Sequence, residues 1–178
     1  MQYTIEDATR ILARTPKVLE TMLAGMPEQW VMSNYGVDTW SPFDIVGHLI
    51  HGERTDWIPR ARTILQSGEE VAFEPFDRYA QYEESKGKSM TDLLNEFADL
   101  RRRTLDDLAG LELDDDDLVR TGTHPALGRV TLSELLSAWV AHDLNHISQT
   151  AKAMAFQYAD QVGPWRQYLS ILRPPNPA

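Results

Sequence analysis

The chain contains no cysteine among its 178 residues. This absence excludes disulfide bonds, a cysteine nucleophile and thiolate ligands, so nitrogen and oxygen atoms would have to hold any bound metal. Basic residues are also few, because 17 lysines and arginines face 27 acidic residues and leave a net charge of −10. Such a charge repels a phosphate backbone or an anionic lipid surface. We therefore expect a protein that binds neither nucleic acid nor membrane.

Long apolar runs are missing as well. No segment approaches the roughly 18 apolar residues of a membrane span, and the start of the chain, MQYTIEDATR, lacks the basic and apolar regions of a signal peptide. Together with the missing cysteine, these absences predict a cytoplasmic protein. The length and the 42 % hydrophobic content predict a single domain over residues 1–178 with one core.

Four segments have the sequence signature of a helix start, a hydroxyl residue followed three positions later by an acid. They are TIED from Thr4, SPFD from Ser41, SMTD from Ser89 and TLSE from Thr131. Each precedes an apolar run of helical period. The resulting helices are predicted over residues 4–24 (with a break allowed at Thr15–Pro16), 42–66, 90–109 and 132–158, with a short one over 165–172.

Strand signals are scarce, because only GRVTL, residues 128–132, has strand character. An all-α chain with four long helices predicts a four-helix bundle. Two long connections, residues 66–89 and 110–131, join the second helix to the third and the third to the fourth. Loops of this length usually have a function or cover part of the fold. Four aromatic residues indicate that the first connection lies on the bundle: Phe73, Phe76, Tyr79 and Tyr82.

The segment SAWVAHDLNHISQ carries His142 and His146 on the apolar stripe of the fourth helix. Residues four apart lie on one helix face, so the two imidazoles converge on one point between the helices. A buried imidazole without partners costs about 1–3 kcal/mol for each unsatisfied group. We therefore expect a partner on another helix.

The second helix supplies this partner, because His48 shares an apolar face with Ile45 and Leu49. His51 falls to one side of that face and is expected to be partly exposed, with an extra ligand or a base at the edge of the site as the alternative. If the second and fourth helices are neighbours, His48 meets the other two histidines and three nitrogens surround one cation. Three histidines without a fourth protein ligand form an open site, with room for water or substrate. A metal-free, hydrogen-bonded cluster of core histidines is the alternative interpretation.

Other polar residues are candidates for supporting roles. Gln149, one turn beyond His146, could hydrogen-bond a water ligand of the metal or be a core amide. His124 could cover the site or act as a turn residue before Pro125, and Arg101–Arg103 is predicted to be a solvated helix face. Three side chains are candidates for accepting an imidazole N–H: Glu53, Asp143 and Asn145.

The two segments that carry the three histidines resemble a known family, the DinB-like or YfiT-like metal-binding four-helix bundles. TWSPFDIVGHLIHGE, residues 39–53, begins a helix at Trp-Ser-Pro ahead of His48, and HPALGRVTLSELLSAWVAHDLNHISQ, residues 124–149, carries His142 and His146. The resemblance implies a bundle with up-down-down-up connectivity and a metal triad of His48, His142 and His146. It also implies a divalent cation, zinc or nickel foremost, and a homodimer.

The resemblance further implies an enzyme, because the family includes S-transferases and isomerases that use mycothiol, bacillithiol or glutathione. We expect a metal that activates water or such a low-molecular-weight thiol towards a small-molecule substrate, in a hydrolase or a thiol S-transferase. Some thiol-transferase relatives have glutamate at one ligand position, where this chain has histidine. The alternative is a non-catalytic metal-binding or stress-response protein, in which the metal is sensed, stored or holds the bundle together.

Overall fold

The computed structural model describes residues 4–173, and the rest of the predicted domain lies outside this range. Two strands, β1 (Thr121–His124) and β2 (Gly128–Thr131), form an antiparallel hairpin, and 3-10 helices occupy Gly163–Tyr168 and Ser170–Leu172. The α-helices are α1 (Ile5–Leu12), α2 (Thr15–Leu23), α3 (Glu28–Met32), α4 (Pro42–Thr55), α5 (Trp57–Ser67), α6 (Ala80–Glu84), α7 (Met90–Gly110), α8 (Asp115–Leu118) and α9 (Leu132–Phe156).

The predicted four-helix bundle is confirmed. Its first helical unit consists of α1 and α2, its second consists of α4 and α5, and the single helices α7 and α9 are the third and the fourth. The predicted helix starts are correct. Ser41, Ser89 and Thr131 close capping boxes, in which the hydroxyl accepts a backbone N–H and the acid three residues later accepts the N–H of the cap. Up-down-down-up connectivity stays a prediction.

Proline interrupts two of the long helices. Pro16 has no N–H for the Leu12 carbonyl, and the first unit is broken before α2, as the sequence allowed. The prediction of one helix over residues 42–66 was wrong, because α4 ends at Thr55 and α5 starts at Trp57. Pro59 has no N–H for the Thr55 carbonyl, so the hydrogen-bond ladder of α4 cannot continue unbroken into α5.

The two long connections contain structure of their own. The first includes α6, and the second includes α8 and the hairpin, so the all-α expectation missed two strands around GRVTL. The Phe73 N–H donates to the Thr123 carbonyl at 2.9 Å, which ties the first connection to β1. Phe73 is buried as predicted, but Tyr79 and Tyr82 are exposed and do not cover the bundle. The predicted helix over 165–172 is replaced by the two 3-10 helices.

Apolar side chains from the four units form the core in two clusters. One surrounds Trp57 and Trp139, whose rings stack with centroids 5.6 Å apart, and the other surrounds Phe97 and Leu49. α4 contacts α7 and α9, so it lies against two of the long helices. Across residues 4–173, none of the helices has the length and apolar character needed to cross a bilayer.

Gly122 on β1 gives a test of this packing. A Cβ at this position would lie 2.7 Å from Ile64 Cγ1 and 3.0 Å from Phe73 Cε1, in side chains that are both buried. Gly122→Ala is therefore expected to lower the free energy of unfolding by about 1–3 kcal/mol in urea denaturation. Gly110 is the control, because a Cβ there meets nothing within 4 Å. Gly110→Ala should be neutral or slightly stabilising, and equal losses at both sites would contradict the tight packing of β1.

Candidate metal centre

Three histidines from α4 and α9 meet at one point. Nε2 of His142 lies 3.0 Å from Nε2 of His48 and 3.0 Å from Nε2 of His146. One nitrogen from each of the three rings lies within 4.8 Å of the other two. His48 and His146 are buried and His142 is half-buried, so the rings lie in the bundle rather than on its surface. The structure thus brings together the three residues that the sequence predicted as ligands.

Hydrogen bonds among the rings cannot satisfy all three Nε2 atoms. A neutral imidazole nitrogen carries either one N–H or one lone pair, so Nε2 of His142 can make one well-directed hydrogen bond and not two. Three Nε2 lone pairs aimed at a common point would repel one another unless a cation accepted all of them. The set of three imidazole nitrogens therefore fits a divalent metal better than it fits a self-contained polar cluster.

Gln149 fixes the orientation of the His146 ring. Its Oε1 lies 2.8 Å from Nδ1 of His146, and an amide oxygen can only accept, so Nδ1 carries the proton. The lone pair of His146 is then on Nε2, where it faces the other histidines. Gln149 contacts the His146 ring itself. The sequence had suggested that it hydrogen-bonds a water ligand of the metal or is a core amide. Nδ1 of His48 and of His142 are buried without a protein partner within the described residues.

Burial keeps the three imidazoles neutral. It is the main cause that lowers the pKa of His48 to about 3, and the charges of His146, His51 and Arg78 lower it further. Burial likewise lowers the pKa of His142 to about 2, helped by the neighbouring histidines and Arg101. The pKa of His146 is lowered by burial as well, against the opposing effects of Gln149 and Asp143. Neutral imidazoles are the form that binds metal.

Acidification should destabilise the metal-free protein. The ordinary histidine pKa is 6.5, whereas His48 and His142 have values of about 3 and 2 in the folded state. Below the ordinary value, the unfolded chain binds protons that the folded chain does not, and the free energy of unfolding falls by up to about 1.4 kcal/mol per histidine per pH unit. Stability present above pH 6.5 is thus lost progressively as pH falls towards the folded pKa values.

Urea denaturation in a chelator, at pH values from neutral down to about 5, checks this before the carboxylates titrate. His48→Gln should reduce the slope of stability against pH. A stability that stays level over this range would contradict neutral, buried histidines.

A cleft of about 400 Å³ opens beside the histidines. Trp40 packs against two of the rings, with its centroid 4.6 Å from that of His48 and 5.9 Å from that of His146. Phe76 from the first connection meets His48 edge-on at 5.3 Å. These aromatic walls shield the imidazoles from bulk water and leave the cleft as the approach to them. The remaining lining is polar: Asp56, Arg60, Arg78, His124, Asn145 and Gln149, together with Gly52.

The other two histidines have separate roles. His51 lies outside the triad but is buried, contrary to the expected partial exposure, because α6 covers it and its Nδ1 lies 2.9 Å from Glu84 Oε1. His124 ends β1, and its Nδ1 accepts the backbone N–H groups of Ala126 and Leu127 at 3.1 and 3.2 Å. It also lines the cleft, so it is both a turn residue and part of the edge of the site.

A buried ionic cluster next to the site was missed from the sequence. Arg101 was predicted on a solvated face but is 1 % exposed, and it donates to Asp143 Oδ2 at 2.6 Å and to Glu53 Oε1 at 2.8 Å. Glu53 and Asp143, two of the predicted acceptors for imidazole N–H groups, are thus used by Arg101, and Thr104 donates to the second oxygen of Glu53. The two carboxylates raise the pKa of Arg101. The sequence indicates the burial of Arg101 through its spacing. Arg101 follows the buried Phe97 by four residues, which places both side chains on one face of α7.

The comparisons with known proteins agree with this fold. The structure of YfiT from Bacillus subtilis, described as a probable metal-dependent hydrolase with an unusual four-helix bundle topology, superposes with a TM-score of 0.73. It shares 23 % sequence identity, and the match covers 88 % of this chain and 90 % of that chain. No curated protein sequence matches significantly. The model of the DinB superfamily matches residues 11–150, which is most of the sequence, and the chain therefore belongs to the DinB superfamily.

Proposed function

We propose that the protein is a metal-dependent hydrolase in which His48, His142 and His146 hold a divalent cation through Nε2. The observation that carries the proposal is the convergence of three neutral, largely buried imidazole nitrogens beside a cleft. Imidazole ligands suit zinc and nickel among the common divalent metals. Within residues 4–173 the group of candidate ligands has three members, as in catalytic zinc sites that keep a position open.

His48, His142 and His146 would hold the cation, which would lower the pKa of a bound water and so supply a nucleophile at physiological pH. The protein's own side chains prepare the place for this chemistry. Gln149 holds the His146 ring in one tautomer, and Trp40 and Phe76 exclude bulk water from the imidazoles. A drier surrounding strengthens the interaction of the ligands with the developing charge of the reaction.

Asp56 is the side chain that we assign to proton transfer. It is the one carboxylate in the lining of the cleft, within the part of the chain that the structure describes. Burial raises its pKa, while the charge of Arg60, whose Nε lies 2.6 Å from Oδ1, opposes that rise. A carboxylate with a raised pKa, held in place by an arginine, is suited to accept the proton of an attacking water. Asp56→Asn should then lower kcat while the metal content stays unchanged.

The description of YfiT as a probable metal-dependent hydrolase supports the same reaction class, although it is a statement about that protein. Transfer from a low-molecular-weight thiol, which the family resemblance also predicts, would use the same three ligands and the same cleft. The two reactions differ in whether turnover needs an added thiol, and this difference can be measured directly.

The proposal is tested with protein purified without a polyhistidine tag. We expect one equivalent of divalent metal by elemental analysis, and hydrolysis of activated esters or amides that is lost in a chelator and restored by zinc or nickel. Turnover of an electrophile such as monobromobimane only with added thiol would favour the S-transferase. A fully loaded protein with neither activity would contradict the enzyme and favour the non-catalytic metal-binding protein.

A further inference from the structure

The cleft beside the histidines carries positive charge in a chain whose net charge is −10. Its lining contains two arginines, Arg60 and Arg78, and one carboxylate, Asp56. A divalent cation on the histidines would add to this charge. The local excess of positive charge at one concave site contrasts with the acidic surface elsewhere, which is the pattern expected where an anionic ligand is attracted and held.

The two arginines differ in what holds them. Arg60 is largely buried, pairs with Asp56 and lies over the Phe73 ring with its guanidinium 5.3 Å from the ring centroid. Arg78 is exposed at the cleft and, among the described residues, has no carboxylate within ion-pair distance. The adjacent Asp77 instead accepts the backbone N–H of Tyr79 at 2.9 Å. The guanidinium of Arg78 is therefore available to a ligand, whereas that of Arg60 is used to hold Asp56.

We propose that the cleft takes small substrates that carry a carboxylate near the bond to be cleaved, and that Arg78 binds this carboxylate. The assignment rests on the proposed hydrolase and names its substrate class. The planar fork of an arginine matches a carboxylate with two parallel hydrogen bonds. A volume of about 400 Å³ is at the small end of ligand pockets and restricts the substrate to a small molecule.

A carboxylate is favoured over a phosphate by the charges in the cleft. In the metal-free protein, Arg60 is already paired with Asp56, so one unpaired arginine among the lining residues balances one negative charge. A phosphate dianion would place its second charge in the same confined space as the carboxylate of Asp56, and the two like charges repel. The aromatic faces of Trp40 and Phe76 leave an apolar wall for the rest of the substrate.

The test measures binding of monomethyl succinate and of dimethyl succinate by calorimetry, with metal-loaded and with metal-free protein. The two probes differ in one carboxylate. The wild type should bind monomethyl succinate about tenfold more tightly than dimethyl succinate, because a charged, bidentate hydrogen bond contributes about this factor. In Arg78→Ala the two probes should bind almost equally, and Arg78→Lys should recover part of the preference. Arg102→Ala removes the same charge from an exposed site outside the cleft and should keep the full preference.

Each outcome bears on one of the two proposals. An undiminished preference for monomethyl succinate in a folded, fully metal-loaded Arg78→Ala would overturn the assignment of Arg78. In metal-free protein, phosphate binding that is as tight as monomethyl succinate binding and equally sensitive to Arg78→Ala would overturn the carboxylate class. A preference that depends on Arg78, found together with metal-loaded protein that has no hydrolytic activity, would uphold the carboxylate site while the hydrolase fails. The two proposals can thus fail separately.

Discussion

His142→Ala should abolish stoichiometric metal binding while the protein stays folded. Nε2 of His142 lies 3.0 Å from both other ligand nitrogens, so this ring stands between them and its loss leaves two ligands. Removing a partner outside the ligand set already costs about 10- to 100-fold in metal affinity, and removing a ligand should cost more. Elemental analysis after gel filtration, together with competition against a chromophoric chelator, measures the change.

Two control variants separate ligation from general damage to the site. His51→Ala removes another buried histidine of α4, one that contacts Glu84 rather than the triad, and should retain the metal. Gln149→Ala leaves all three ligands but frees Nδ1 of His146, so it should weaken binding by about 10- to 100-fold without abolishing it. One full equivalent of tightly bound metal in His142→Ala would exclude this histidine as a ligand and reopen the interpretation as a metal-free cluster.

The convergence of the three histidines could be predicted because their geometry is local to two helices. His142 and His146 are four residues apart, and His48 shares an apolar stripe with Leu49 and Ile45, so helical periodicity alone placed each ring on an inward face. Only the pairing of α4 with α9 had to be assumed. The same periodicity, together with the hydroxyl–acid cap pairs, located the starts of the long helices.

Periodicity could not predict groups whose partners come from distant parts of the chain. His51 lies to one side of the inward face, as expected, but Glu84 on α6 covers it, and nothing in the local sequence of α4 shows this. Arg78 lies in an irregular connection, where no repeating pattern indicates which way a side chain points. The break between α4 and α5 was missed for a different reason, because the apolar spacing continues through it and the signal is the single residue Pro59.

Arg101 was predicted to be exposed because it is charged, so its burial was missed. Its three carboxylate hydrogen bonds reach Glu53 on α4 and Asp143 on α9, which are 48 and 42 residues away in sequence. It also donates to the Leu12 carbonyl at 2.8 Å. That carbonyl is free because Pro16, four residues later, has no N–H to give it. One guanidinium thus joins α1, α4, α7 and α9, and two of these helices carry the three histidines of the site.

Arg101→Ala should therefore cause the largest loss of stability of any single change considered. Glu53 and Asp143, whose side chains are fully buried, would be left as two carboxylates without a cation, and breaking a buried pair from one side costs about 3–5 kcal/mol. Urea denaturation at neutral pH measures the loss. Arg102→Ala, at the exposed neighbouring position, is the control and should change the free energy of unfolding by less than about 0.5 kcal/mol.

The dependence of that loss on pH distinguishes a broken ion pair from a simple packing defect. A carboxylate that is buried without a cation is disfavoured in its charged form, so acid relieves the variant more than it relieves the wild type. The difference in stability between wild type and Arg101→Ala should consequently shrink as pH falls.

Glu53→Gln with Asp143→Asn in the Arg101→Met background should recover part of the stability at neutral pH, because no buried charge remains. A deficit that is constant with pH, and unchanged by these neutral replacements, would show that Arg101 acts through its volume and not through its charge.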